Sequence, residues 1–279
     1  MSSICNQTGR VLPAIVALIA ATASPSAQAT ESDEYQKFLN EKSPAVVRVK
    51  FVLKIKMGGM MAGMGDQEGE NEINGVMIDP KGLVLCSNSQ LGGFVSMMSR
   101  MMGPAGAGIS ATPTDFKILL GDDIEGREAE LLARDTELDL AWVKIKEPGD
   151  KPFEYVDFSK GAKPEIGERV VAVRRMGKYF ARSAVVVEGH IGGVTAKPRD
   201  LYVPSGEIAM AFGLPIYLRD GKVIGVTILQ MPEEEGVEPD PMAMFGRLSN
   251  MQEMMSGVIL PAADVAKATR RARASADTE

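Results

Sequence analysis

Short apolar runs separated by turn-forming residues dominate the chain from Ser43 onward. The first group consists of residues 45–52, 74–78, 82–85, 116–120, 129–132 and 140–145. The second group consists of residues 169–173, 183–187, 201–203, 215–218 and 223–229. Short runs rich in Val, Ile and Leu and bounded by Gly, Pro and Asp are typical of β-strands. Two groups of about six strands predict an all-β protein of two β-barrels rather than a doubly wound sheet.

Helical periodicity is confined to the C-terminal end of the chain. Residues 262–274 follow Pro261, and Val265, Ala268 and Ala272 recur there at helical spacing. The polar residues 30–42 predict an irregular lead-in or a short helix. The sequence therefore predicts one C-terminal helix after the two barrels.

Three segments interrupt the strand pattern and contain thirteen of the 18 methionines: residues 57–72, 94–113 and 232–256. Flexible Met-rich loops form adaptable apolar surfaces for peptides or for partner subunits, including a second copy of the chain. A Cu(I) site is the alternative, because thioethers suit that ion. Its candidate ligands are Met57, Met60, Met61 and Met64. No His or Cys accompanies them, which favours the interface over the metal, and the acidic residues 233–240 are interpreted as a solvated loop.

The first 29 residues have the pattern of an export signal. Arg10 provides a positive charge, residues 11–21 are an apolar run too short to span a bilayer, and Ala27-Gln28-Ala29 is a small-x-small cleavage site. We therefore expect residues 1–29 to be a signal peptide. The mature protein is then periplasmic or secreted and keeps no stable membrane span.

Composition narrows the possible partners and the redox chemistry. The formal net charge is −6 and no basic stripe is present, which argues against a nucleic-acid partner. Of the 2 cysteines, Cys5 lies in the predicted signal, so Cys86 is the only cysteine of the mature chain and no intramolecular disulfide is expected. Nothing in the sequence predicts a cofactor.

The stretch GLVLCSNSQLGG ends an apolar run in a corner of small polar residues. Cys86, Ser87 and Ser89 are the candidate nucleophiles there, and each needs an adjacent base or an electropositive environment. No base is visible nearby in the sequence. These side chains are therefore expected to satisfy backbone groups or to be buried, with an active hydrolase kept as the alternative.

Four segments carry a family resemblance through their order and spacing: NGVMIDPKGLVLCSNSQL, ELDLAWVKI, PEIGERVVAVRRMG and AMAFGLPIYLRDGKVIGVTIL. They resemble the trypsin-like serine proteases in their bacterial HtrA-like branch, and GVILPAADVAKAT is similar to the last strand and helix of that domain. The resemblance implies an N-terminal barrel over residues 43–150 and a C-terminal barrel over residues 151–260, including the loop 232–256. A helix and tail follow over residues 261–279, without space for a PDZ domain.

The resemblance also identifies the positions of the catalytic groups. In this family a Ser attacks the substrate carbonyl, a His takes its proton, an Asp orients the His and backbone amides hold the oxyanion. Asp139 matches the Asp position, Ser89 stands where the His is expected, and Phe212 replaces the nucleophilic Ser. Met210 and Gly213 mark a degenerate oxyanion loop, because Met210 replaces the first Gly of the family's GNSGG motif.

The sequence contains a single histidine, His190, which matches a strand and not the catalytic corner. The resemblance therefore implies a catalytically inactive homologue. Such a protein is expected to act as a protein- or peptide-binding scaffold or as a regulator. A displaced hydrolase site at Cys86, Ser87 or Ser89, and a Met-based Cu(I) binder, remain the alternatives.

Overall fold

A computed structural model of the protein describes residues 26–102, 106–230 and 257–276. Within these residues the strands form two closed six-stranded antiparallel β-barrels, which confirms the predicted fold class. The first barrel contains β1 Val46–Lys56, β2 Gln67–Met77, β3 Leu83–Ser87, β4 Ser110–Leu119, β5 Arg127–Asp135 and β6 Leu140–Ile145. The second contains β7 Arg169–Arg175, β8 Ala184–Thr195, β9 Leu201–Pro204, β10 Pro215–Leu218, β11 Val223–Leu229 and β12 Gly257–Pro261. The helices are α1 Ser26–Lys42, α2 Gly93–Met101 and α3 Ala262–Ala276.

Strand alternation explains why the first barrel is apolar on two faces. Val84 and Cys86 of β3 point into the core of the first barrel. Leu83 and Leu85 belong to a second apolar cluster, which includes the core of the other barrel and the buried face of α3. Because successive residues of a strand point to opposite faces, one strand serves both cores. The two barrels therefore pack through a continuous apolar contact.

Arg175 and Arg182, together with Glu72, connect the two barrels at the end of β7, and we call this group the arginine brace. Arg175 donates to the carbonyl oxygens of Ser43, Val46 and Arg182 at 3.0, 2.6 and 3.3 Å. Arg182 in turn places its guanidinium on the Glu72 carboxylate, with N–O distances of 2.7 and 3.1 Å. Charged groups of one barrel thus fix the backbone of the other.

Both terminal helices lie against the barrels. Phe38 of α1 packs edge-on against the ring of Tyr217, with 5.5 Å between centroids, and Glu31 forms an ion pair with Arg169 at 2.9 Å. On α3, the Thr269 hydroxyl accepts a hydrogen bond of 3.1 Å from the indole nitrogen of Trp142. The structure extends the predicted C-terminal helix to Ala276 and shows a helix in the predicted lead-in.

Two of the three Met-rich segments that were predicted to interrupt the strand pattern contain regular secondary structure. The prediction was wrong for those two segments. β2 begins at Gln67 and pairs with β1 from its first residue onward, although its outer half is solvent-exposed and lacks an apolar face. Residues 94–113 include most of α2 and the beginning of β4. Because exposed strands need no apolar alternation, their pairing was not visible in the pattern.

Several predictions fall outside the described residues. These are residues 1–25 of the predicted signal, the whole loop 232–256 with its acidic segment, and the last residues of the tail. In the part of the chain that the structure describes, no helix is long and apolar enough to cross a membrane.

Candidate functional site

The candidate site lies at a corner between the strands β3 and β6. β3 ends at Ser87, and Ser89 begins a short 3₁₀ turn. Asp139 precedes β6 with a φ of 53°, a left-handed conformation that is uncommon for residues other than Gly. Its carbonyl accepts a hydrogen bond of 3.0 Å from the Asn88 amide. The strained Asp139 is thereby tied to the corner through its backbone.

The Asp139 carboxylate is enclosed by neutral donors. Its Oδ1 accepts the Ser89 amide at 2.6 Å. Its Oδ2 accepts the Ser87 hydroxyl at 2.9 Å, the Ser89 hydroxyl at 3.3 Å and the Leu229 amide at 2.9 Å. Since Leu229 belongs to the second barrel, this carboxylate joins the two barrels.

Burial controls the protonation of this corner. Asp139 is only 4% exposed, and burial raises the pKa of its carboxyl against the opposing effect of the hydrogen bonds from Leu229, Ser89 and Ser87. Burial also raises the pKa of the Cys86 thiol to about 12, with a smaller contribution from the charge of Asp139. The thiol is therefore protonated at neutral pH and is a poor nucleophile.

A loop of the second barrel closes over the corner at Gly213. Its φ is 74°, and a Cβ at this position would lie 2.6 Å from the Ser87 nitrogen. The Gly213 amide donates to the Thr227 carbonyl at 2.8 Å, which holds the loop on β11. The structure thus requires a glycine here for close backbone approach.

Two residues of the loop before Gly213 have apolar side chains, and the ring of Phe212 lies against β12, 3.0 Å from where a Cβ on Gly257 would be. Phe212 is half-buried, and Met210 is 65% exposed at the end of a 3₁₀ turn. The structure therefore brings the positions of Ser89, Asp139 and Phe212 together between the barrels, through the Gly213 contact with Ser87 and the Asp139 bonds.

The remaining candidates lie elsewhere or are inaccessible. His190 is an exposed residue of β8 and stands opposite Arg169 in the β7 pairing. Its carbonyl accepts the Ser205 amide at 2.9 Å. Cys86 and Ser87 are both fully buried, whereas Ser89 is partly exposed. Of the three predicted nucleophiles, only Ser89 can meet a ligand.

The structure assigns no metal site to the described residues. No group of three or more His, Cys, Asp or Glu side chains in this part of the chain could hold a metal ion. Met57 is half-buried and Met64 is 64% exposed in the turn between β1 and β2. The side chains of Met60 and Met61 lie outside the described residues, so the Cu(I) hypothesis stays a prediction.

Sequence reasoning missed the Leu229 amide and the arginine brace. A backbone donor gives no signal in the sequence, because any residue other than Pro at position 229 would supply the same N–H. Arg48 does give a signal, since it interrupts the apolar run at residues 45–52 and is only 8% exposed. A buried charge in a strand predicts a partner, which is Glu72 at 3.7 Å from its Nε.

Of three comparisons with known proteins, one shows the family of the chain. The family model described as "Trypsin-like peptidase domain" matches residues 74–226, which is more than half of the chain. Among solved structures, the protease domain of MamO from Magnetospirillum magneticum, in its apo form, is 14% identical with a TM-score of 0.46. That match covers 81% of this chain and 96% of the MamO chain. No curated protein matches this chain.

Proposed function

Because this chain belongs to the family of trypsin-like peptidase domains, we propose that it is an exported member without peptidase activity that acts by binding protein or peptide segments. The observation that carries this proposal is the bonding of Asp139. Where an active member has a histidine, the carboxylate receives the amide and hydroxyl of Ser89.

Proton transfer is the step that this corner lacks. An active site of this type needs a base that takes the proton of the nucleophile and later gives it to the leaving group. Ser89 occupies the position of the histidine and supplies no base there. Phe212 occupies the position of the nucleophile, and its phenyl ring cannot attack a carbonyl. The one histidine of the chain, His190, lies in β8 and bonds through its backbone to Ser205. On this proposal the corner has neither the histidine that would take the proton nor the serine that would lose it.

A binding role is supported by the side chains that replace the catalytic ones. Met210 is 65% exposed where the family has a glycine, and Phe212 is half-buried two residues later. An exposed thioether adapts to apolar side chains of varied shape. We place the binding cleft at this loop, where it would hold a segment without cleaving it.

A displaced hydrolase is the second candidate, and one contact favours it. The Ser89 hydroxyl lies 3.3 Å from Oδ2 of Asp139, whose pKa is raised by burial, so the carboxylate is a stronger base than an exposed Asp. The same oxygen already accepts the Ser87 hydroxyl and the Leu229 amide at 2.9 Å. These shorter bonds stabilise the carboxylate and compete with proton transfer, so we rank this candidate lower.

Fluorophosphonate labelling combined with a casein turnover assay tests the proposal. We expect neither labelling nor turnover by the wild-type protein, since no histidine accompanies Ser89 and the bonds from Ser87 and Leu229 hold Asp139 as a carboxylate. Ser89→Ala serves as the matched control for chemical background. Labelling or turnover that is present in the wild type and absent in Ser89→Ala would overturn the proposal and support the displaced hydrolase.

Binding of unfolded casein measures the second half of the proposal. Met210→Asp is expected to weaken binding several-fold, because a charge would enter the apolar cleft. Ile166→Asp is the control, since Ile166 is similarly exposed at 68% and lies outside the cleft residues. Equal affinity of the two variants and the wild type would show that the cleft is not the binding surface.

A further inference from the structure

The outer half of β2 is a free sheet edge. β2 pairs with β1 over residues 67–76 but with β3 only at residues 75–77. Among the described residues, no strand pairs with residues 67–73 on the side away from β1. Every second residue of an antiparallel strand turns its N–H and C=O away from the paired neighbour. A row of backbone donors and acceptors therefore faces away from the barrel.

The outer half of β4, on the other side of β1, shows how the same molecule closes such an edge. β4 pairs with β5 only at Lys117 and Ile118, so its outer half also lacks a second strand among the described residues. This edge contains Pro113, which has no N–H, and Asp115, which has a φ of 55° beside a shift of register. The helix α2 also packs against β4. These features prevent the addition of another strand.

Within the described residues, the stretch 67–71 of the β2 edge lacks each of these obstacles. It contains no proline, and its register with β1 runs without a shift from Gln67 to Val76. A Cβ placed on Gly69 would meet nothing within 4 Å, so an approaching backbone finds open space. The Gly69 carbonyl accepts an exposed side-chain bond of 3.1 Å from Asn71, which an incoming strand could replace. The Glu72 carbonyl accepts a bond of 2.7 Å from Arg48, so the edge open to another strand is limited to residues 67–71.

Alternate glutamates determine which strand this edge accepts. The side chains of Glu68 and Glu70 are 59% and 67% exposed, and they pair with Lys54 and Lys50 of β1 at 3.9 and 2.9 Å. Glu72 is on the same face but is held in the arginine brace. Since the exposed pairs leave carboxylate oxygens open to solvent, lysines or arginines on a third strand would add favourable cross-strand pairs.

A second copy of this chain fits the edge poorly. Antiparallel pairing through the same edge would place the glutamate face of one copy beside the glutamate face of the other. Like charges directly opposite each other destabilise a strand pair. The charges therefore favour a basic peptide over self-association.

We propose that the outer half of β2 binds an extended basic peptide, which adds as an antiparallel strand with Lys or Arg at alternate positions. The backbone of the peptide bonds to the free edge of residues 67–71, and its cations lie beside Glu68 and Glu70. This site is separate from the corner at Asp139. It does not depend on whether that corner is catalytically active.

Fluorescence anisotropy with a short capped peptide that alternates Lys with Thr or Val tests the proposal. The first control is the same peptide with N-methyl groups on alternate residues, which keeps its charge and removes backbone donors. The second is the peptide with Glu in place of Lys. We expect saturable binding of the unmodified peptide and no measurable binding of either control. Equal binding of the N-methylated peptide would overturn the proposal, because it would show attraction by charge alone.

Charge reversal on the protein locates the site. The double variant Glu68→Lys, Glu70→Lys is expected to bind the basic peptide about ten-fold more weakly, since two favourable cross-strand pairs become unfavourable. Glu128→Lys is the matched control, because Glu128 is a strand glutamate of the same barrel with a side chain that is 76% exposed. If the glutamates serve only to keep other strands away, the peptide does not bind the wild type. That result, or an equal loss of affinity in both variants, contradicts the proposal.

Discussion

Asp139 and Glu72 are two carboxylates that join the same pair of barrels by opposite electrostatic means. Asp139 is surrounded by hydroxyl and amide donors, and burial raises its pKa. Glu72 accepts the guanidinium of Arg182, which lowers its pKa against the effect of burial. Neutral donors therefore leave Asp139 with an uncompensated desolvation cost, whereas the arginines more than compensate that of Glu72. We therefore expect the junction at Asp139 to tolerate loss of the carboxylate charge, and the junction at Glu72 to depend on that charge.

Replacement of Glu72 by Gln should give the largest loss of stability. Its partners Arg48 and Arg182 have side chains that are 10% and 5% exposed, so they would remain buried without a counter-charge. Removing one member of a buried ion pair costs about 3–5 kcal/mol in the free energy of unfolding. Urea unfolding measures this difference.

Glu70→Gln is the control for that experiment. Glu70 lies two residues away on β2 and pairs with Lys50, but its side chain is 67% exposed. An exposed pair contributes about 0–1 kcal/mol. A similar loss in both variants would show that the brace contributes no more than a surface pair.

Replacement of Gly213 by Ala should disturb the Asp139 junction by a smaller amount. The left-handed conformation costs about 1–2 kcal/mol for a residue with a Cβ. The contact of 2.6 Å with the Ser87 nitrogen adds overpacking against backbone. We expect a total of about 3 kcal/mol in urea unfolding.

Gly167→Ala separates the two contributions. Gly167 has a φ of 88°, and a Cβ at this position would meet no atom within 4 Å, so only the conformational cost applies. Its expected loss is about 1 kcal/mol. Equal losses at both positions would mean that the loop moves away from Ser87 at little cost.

The pH dependence of stability should have opposite signs at the two junctions, and this is the smallest expected effect. The folded pKa of Glu72 is below its ordinary value of 4.5, so its contribution is present above that pH and is lost as the pH falls. The folded pKa of Asp139 is above its ordinary value of 3.8, so its contribution decreases as the pH rises from 3.8 through the folded pKa.

Unfolding curves of Asp139→Asn and Glu72→Gln between about pH 3 and pH 7 isolate the two slopes. The stability difference between the wild type and Glu72→Gln should increase with pH. The corresponding difference for Asp139→Asn should decrease. Parallel slopes would contradict the assignment of desolvation as the main effect at Asp139.

The sequence predicted the strands that bury side chains and missed structure that depends on exposed pairing. Val223–Leu229 and Leu140–Ile145 were found at their observed bounds because both strands are almost entirely buried and are apolar except at Thr227 and Lys144. The outer half of β2 has no apolar face and gives no clear period in the sequence. The helix α2 does have a period, because Phe94, Met97, Met98 and Met101 recur at helical spacing, but these residues were interpreted as part of a Met-rich loop.

The sequence likewise predicted one part of the candidate site and missed another. The resemblance indicated the positions of Ser89, Asp139 and Phe212, and the structure places them around one corner. The Leu229 amide and the contact between Gly213 and Ser87 arise from the docking of the barrels. Such contacts join residues far apart in the chain, so spacing along the sequence does not reveal them. The export signal and the absence of peptidase activity stay predictions.

Trp142 makes the junction of the barrels directly observable by emission spectroscopy. It is the only tryptophan of the chain, it is 1% exposed, and its indole donates to Thr269 on the C-terminal helix. Its side chain belongs to the apolar cluster shared by both barrels. Intrinsic fluorescence of the unmodified protein therefore reports whether the barrels and this helix remain in contact, without an attached dye.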